Sequence, residues 1–191
     1  MLRNLSIAIL AMVIGSMAQS PVVVDVDGQP LTGGVEYYVL PAATDIAGGL
    51  TLVNPNGSCP LYVGQAPLST TVSQGIPVIF TPASGGESVI REGTDLSVVF
   101  SGASICVQST RWRIGEEDEE SSRRLIVTGE GGQNLFRIDN NGGLYNLGWC
   151  PSCNQPNCGR PRCGAAGILI RNATRFLALD AAAFPFRFRR A

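Results

Sequence analysis

Histidine and lysine are both missing from the 191 residues. Without histidine there is no Ser-His-Asp or Cys-His pair, and no imidazole to hold a metal or shuttle a proton. Without lysine there is no Schiff-base amine and no phosphate-loop ammonium. Charge of either sign is scarce, at 15% of residues, with a formal net charge of -1. Nucleic acid and anionic membrane both require a basic surface, so neither is expected as a partner. No pair of acids stands in a recognisable catalytic context, so the chain reads as a non-enzyme without cofactor or metal. Apolar runs are short of the ~20 residues that span a bilayer. Helical periodicity is almost absent.

Residues 1–18, MLRNLSIAILAMVIGSMA, combine an early Arg3, an apolar stretch from Ile7 to Ile14 and small residues at Ser16 and Ala18. This is the pattern of a secretory signal, with cleavage expected after Ala18 and a single domain over 19–191. Loss of Arg3 leaves 13 arginines against 15 acids, a net charge of -2. Secretion bears on Cys59, Cys106, Cys150, Cys153, Cys158 and Cys163. The last four form C-x2-C-x4-C-x4-C, too closely spaced for the two hairpins of a zinc ribbon, so three disulfides are expected. Six cysteines allow fifteen pairings. The clustered four are most simply paired among themselves, which leaves Cys59 with Cys106; that bridge would contribute about 4 kcal/mol on the chain-entropy estimate. Asn56-Gly57-Ser58 and Asn172-Ala173-Thr174 are glycosylation sequons, each of which would place its asparagine at the surface.

Apolar residues come in a dozen short bursts, from Tyr37-Tyr38-Val39-Leu40 to Phe186-Arg187-Phe188, rich in β-branched and aromatic types and separated by Gly, Pro, Asn and Ser. Asn140-Asn141-Gly142-Gly143 marks a hairpin turn, because Asn and Gly adopt positive φ at little cost. The pattern predicts an all-β barrel or sandwich. The acidic run Glu116-Glu117-Asp118-Glu119-Glu120 lacks the glycine of a calcium loop and is expected as a solvated loop between strands.

Several segments together resemble the plant Kunitz-type (soybean trypsin inhibitor-like) inhibitors. They are Val24-Asp25-Val26-Asp27-Gly28-Gln29-Pro30-Leu31, Tyr37-Tyr38-Val39-Leu40-Pro41, Cys59-Pro60-Leu61, Gly75-Ile76-Pro77-Val78, Phe136-Arg137-Ile138, Cys150-Pro151 and the closing Phe186-Arg187-Phe188. The stretch from Ser104 to Trp112 is similar to cereal amylase/subtilisin inhibitors, and the cysteine cluster to miraculin-like members. The resemblance implies a β-trefoil of twelve strands, the bridge Cys59–Cys106, and nested bridges Cys150–Cys163 and Cys153–Cys158.

The resemblance further implies a secreted, monomeric inhibitor whose reactive loop is Pro82, Ala83, Ser84, Gly85, Gly86, Glu87, Ser88 and Val89, with the primary-pocket residue at or next to Gly86. Trypsin demands a cation there, and Arg91 comes several residues too late. The family's loop-supporting asparagine is replaced by Gly33. A subtilisin-like serine protease is therefore favoured over trypsin, with α-amylase inhibition or a storage or binding role as the alternatives. Arg162, within the cysteine cluster beside Arg160-Pro161, is a second candidate inhibitory position.

Overall fold

The computed structural model describes residues 19–191 except 44, 46, 69–72, 107 and 151–162. Each apolar burst becomes a strand. They are β1 (Glu36–Pro41), β2 (Leu50–Val53), β3 (Tyr62–Gln65), β4 (Val78–Pro82), β5 (Leu96–Phe100), β6 (Trp112–Asp118), β7 (Arg123–Thr128), β8 (Arg137–Asn141), β9 (Leu144–Trp149), β10 (Gly164–Arg171), β11 (Thr174–Leu179) and β12 (Phe186–Arg190). Alternation decides which face is buried. In β12, Phe186 and Phe188 are buried while Arg187 between them and Arg189 after them are only partly so; in β1, Tyr37 and Val39 are buried in the same way.

Six strands form a closed ring. β1 pairs with β4 and β12, β4 with β5, β8 with β9, and β9 with β12. The circuit is completed between β5 and the residue preceding β8, where Leu96 and Phe136 exchange backbone hydrogen bonds of 2.9 and 2.8 Å. Three hairpins, β2–β3, β6–β7 and β10–β11, cap this barrel. They meet one another pairwise at Tyr62–Val127, Leu125–Ala178 and Gly64–Phe176. Three four-stranded units related in this way make a β-trefoil, as expected. Gly64 permits the last contact, since a Cβ there would lie 2.3 Å from the Arg175 carbonyl oxygen.

Buried aromatics fill the barrel. Phe80 packs edge-on against Phe188, and Trp112 against Phe136, with ring centroids 5.5 and 6.1 Å apart. Leu125, Phe176 and Ala178 form a smaller cluster within the cap. The hairpin at 140–143 turns on Gly142 and Gly143 alone, both at positive φ, because Asn140 and Asn141 pair within β8.

Cys59 and Cys106 are bridged, and so are Cys150 and Cys163. Cys153 and Cys158 lie outside the described residues, as do the leader, Arg160 and Arg162.

The acidic run departs from expectation. Glu116, Glu117 and Asp118 complete β6, and only Glu119 and Glu120 enter the turn. Opposite charges account for this. Glu117 and Asp118 stand across from Arg124 and Arg123, and Asp118 forms an ion pair with Arg171 at the end of β10. Asp118 Oδ2 also accepts hydrogen bonds from the Ser121 hydroxyl (2.7 Å) and backbone N–H (3.0 Å). The Ser121 hydroxyl, then Arg171, hold the Asp118 carboxyl below its usual value against the opposing effect of burial.

Two measurements test this packing. Phe188→Ala should destabilise the protein by about 3–5 kcal/mol in chemical denaturation, the usual cost of emptying a buried Phe site. A carboxyl with a lowered folded pKa stabilises above its unfolded pKa and loses that contribution as pH falls through the folded one. Denaturation curves of wild type and Asp118→Asn should therefore differ at neutral pH and converge under strongly acidic conditions.

Candidate functional site

The segment from Pro82 to Val89 leaves the end of β4 and returns beside the N-terminal strand-like stretch. Its two ends are fixed. Ala83 donates its N–H to the Asp95 carbonyl (2.8 Å), and Ser88 accepts from Gly33 N–H (2.6 Å). Thr32 and Val89 form an isolated bridge, Ile90 donates to the Leu31 carbonyl (2.9 Å), and Val23 donates to that of Ile90 (3.0 Å). Asp95 is held by Arg137 Nε at 2.7 Å. Arg91 forms an ion pair with Glu87 and donates to the Ser20 carbonyl (2.9 Å), so the nearest cation braces the loop from below and does not occupy its tip.

Ala83, Ser84, Gly85 and Gly86 are exposed, as is Ser88, while Pro82, Glu87 and Val89 are half-buried. The tip turns at Gly85–Gly86, and Gly86 lies at φ +94. A Cβ on either glycine would meet nothing within 4 Å. The tip is therefore a small-residue projection on an anchored base. A protease cleft takes its substrate extended, at negative φ, so Gly86 must leave the left-handed region to be read as substrate.

Gly33 lies directly beneath the loop. A Cβ there would stand 3.1 Å from Pro82 Cδ and 3.4 Å from the Phe80 and Ser88 carbonyl oxygens. A longer side chain at this position would face both ends of the loop, which here are tied by main-chain bonds and by the Glu87–Arg91 ion pair.

The other sequence candidates are scattered. Asn56 and Asn172 are exposed, on the β2–β3 connection and the tip of the β10–β11 hairpin. A cleft of about 590 Å³ on the cap hairpins is lined by Tyr62, Arg113, Asp118, Leu125 and Arg171, with the acidic run at its rim. One residue escapes sequence reasoning altogether. Ile105, between β5 and β6, is 81% exposed, although an isoleucine next to a cysteine reads as core.

The Kunitz legume family, described as trypsin and protease inhibitors, matches residues 23–190. Kunitz type trypsin inhibitor 104 of Medicago truncatula is 42% identical over 200 residues, covering 98% of each chain. An alpha-amylase/subtilisin inhibitor of Oryza sativa subsp. japonica is 38% identical over 155 residues, 75% of this chain and 76% of that one. The solved structure of the rice bifunctional alpha-amylase/subtilisin inhibitor superposes with a TM-score of 0.74 at 34% identity, covering 91% of this chain and all of the other.

The two tip glycines should respond oppositely to alanine. Gly85→Ala, at an ordinary φ and in open space, should raise stability by about 0.5 kcal/mol through the unfolded state. Gly86→Ala, forced to φ +94, should lower it by about 1 kcal/mol. Paired melting curves read both.

Proposed function

Because the chain belongs to the Kunitz legume family of trypsin and protease inhibitors, we propose that it is a secreted, monomeric inhibitor of serine endopeptidases. In this reading it presents residues 82–89 as a substrate-like loop and acts on subtilisin-like enzymes in preference to trypsin. Members of this family are inhibitors and not enzymes. The observation that carries the reading is the exposed tip Ala83–Gly86 on a base fixed by Gly33, Leu31 and Asp95. Secretion is supported by the pattern of residues 1–18.

An anchored loop loses little conformational entropy on association, which is how a convex segment binds tightly. The framework also keeps the two sides of a cleaved bond together, so that resealing competes with release. Selectivity follows from the missing side chain. Trypsin's pocket has a buried Asp that asks for a cation, and Arg91 is committed to Glu87. A glycine at the tip forgoes the ~1.5–3 kcal/mol that a large apolar side chain would gain on burial, and its mobility adds about 1 kcal/mol of ordering cost. The resulting affinity should be modest, and directed at enzymes that accept small residues.

Inhibition of α-amylase is a second reading, favoured by the rice relative and its solved structure, whose names carry both activities. A storage or binding role for the trefoil remains the outcome if neither enzyme responds.

Residual activity of subtilisin, trypsin and α-amylase titrated with the disulfide-intact protein tests the reading. Subtilisin should be inhibited at least tenfold more strongly than trypsin, and replacing residues 83–88 should abolish that inhibition. Inhibition that survives the replacement removes the loop from the account.

A further inference from the structure

The connection from β5 to β6 is mounted at both ends and stapled near its far point. At its base, Val99 and Arg111 form an isolated bridge, Phe100 donates to the Thr110 carbonyl (3.3 Å), and Thr110 Oγ1 donates back to the Phe100 carbonyl (2.7 Å). Ser101 donates to the Pro77 carbonyl (2.8 Å). Further out, Cys106 is buried and crosslinked to Cys59. The residue immediately before that staple is Ile105, the most exposed large apolar side chain among the described residues. Ser104 Oγ donates to the Cys106 carbonyl at 2.8 Å, so a side-chain hydrogen bond spans Ile105 from one neighbour to the other. Ile105 is not among the residues at positive φ.

We propose that Ser104-Ile105-Cys106 is a second reactive site, in which Ile105 enters the aliphatic primary pocket of an elastase-type serine endopeptidase. The proposal rests on the reading of the chain as a protease inhibitor but does not depend on the 82–89 loop. Ile105 has what Gly86 lacks, a bulky side chain already in water and a negative φ. A single exposed apolar residue is ordinary on a protein surface; one bracketed by a hydrogen bond and followed by a buried crosslink is held in place for a partner, so little ordering is left to binding.

The staple also bears on the covalent step. Attack of the protease serine on the Ile105 carbonyl forms an acyl bond as the Ile105–Cys106 amide breaks, and the released Cys106 amine takes a proton from the enzyme's general acid. Cys106 stays tied to Cys59, so the amine remains beside the acyl group. Its return re-forms the amide and frees the serine, in competition with the water that would complete hydrolysis.

The test uses the full secreted protein and an active-site-titrated elastase, beside trypsin and subtilisin. Wild type should inhibit elastase. Ile105→Asp should weaken that inhibition at least 100-fold, and Ile105→Arg should replace it with trypsin inhibition, a gain that misfolding cannot mimic. Replacement of residues 83–88 should leave elastase inhibition unchanged while removing that of subtilisin. Wild type with no effect on elastase, or elastase inhibition that survives Ile105→Asp, overturns the second site. So does a folded Ile105→Arg protein with both described disulfides intact and no effect on trypsin. Subtilisin inhibition that survives replacement of 83–88 overturns only the first loop.

Discussion

The barrel closes through one pair of backbone hydrogen bonds on its sparsest side, between Leu96 and Phe136. A closed ring leaves no free strand edge, and every connection must then begin and end at fixed points. Both partners of this contact are fully buried, and Phe136 packs against Trp112, the first residue of β6. The same few residues thus hold the ring shut, fill its interior and fix Trp112, the point at which the β5–β6 connection ends. The neighbouring Asp95 carries the bond to Ala83 that anchors one end of the 82–89 loop.

What a fixed base gives a loop depends on what the loop carries outward. Residues 82–89 hold their ends by main-chain bonds but place two glycines at the tip, where chain entropy works against a single conformation. The segment around Ile105 is built the other way, with a buried crosslink at Cys106 and a bulky side chain beside it. Preorganisation and contact area therefore come together around Ile105, while the 82–89 tip has neither a crosslink nor a bulky side chain.

Much of the architecture was legible in the sequence because short strands separated by turn residues leave a local imprint. The alternation in Phe186-Arg187-Phe188 already states which face of β12 is buried, and each of the dozen bursts lies within or overlaps its strand. The bridge from Cys59 to Cys106 followed from the clustering of the other four cysteines. The acidic run was misread because the nearby Arg123 and Arg124 fit a solvated loop as well as a strand pair, and no local pattern shows that Asp118 meets the distant Arg171. Ile105 was invisible for a related reason. Its backbone position beside the buried, crosslinked Cys106 leaves it exposed, while the residue's own chemistry points to the interior. At 82–89 the sequence showed the missing cation, while the left-handed turn at Gly86 shows only in the folded chain.

The central claim is that an anchored, convex loop meets the protease as substrate would. It is tested most directly by incubating the disulfide-intact protein with a catalytic amount of subtilisin and mapping the first peptide bond to break by mass spectrometry. The account predicts a single nick within residues 82–89, accumulating slowly while the rest of the chain stays whole. Early cuts spread across other connections, with no preference for that segment, would contradict it.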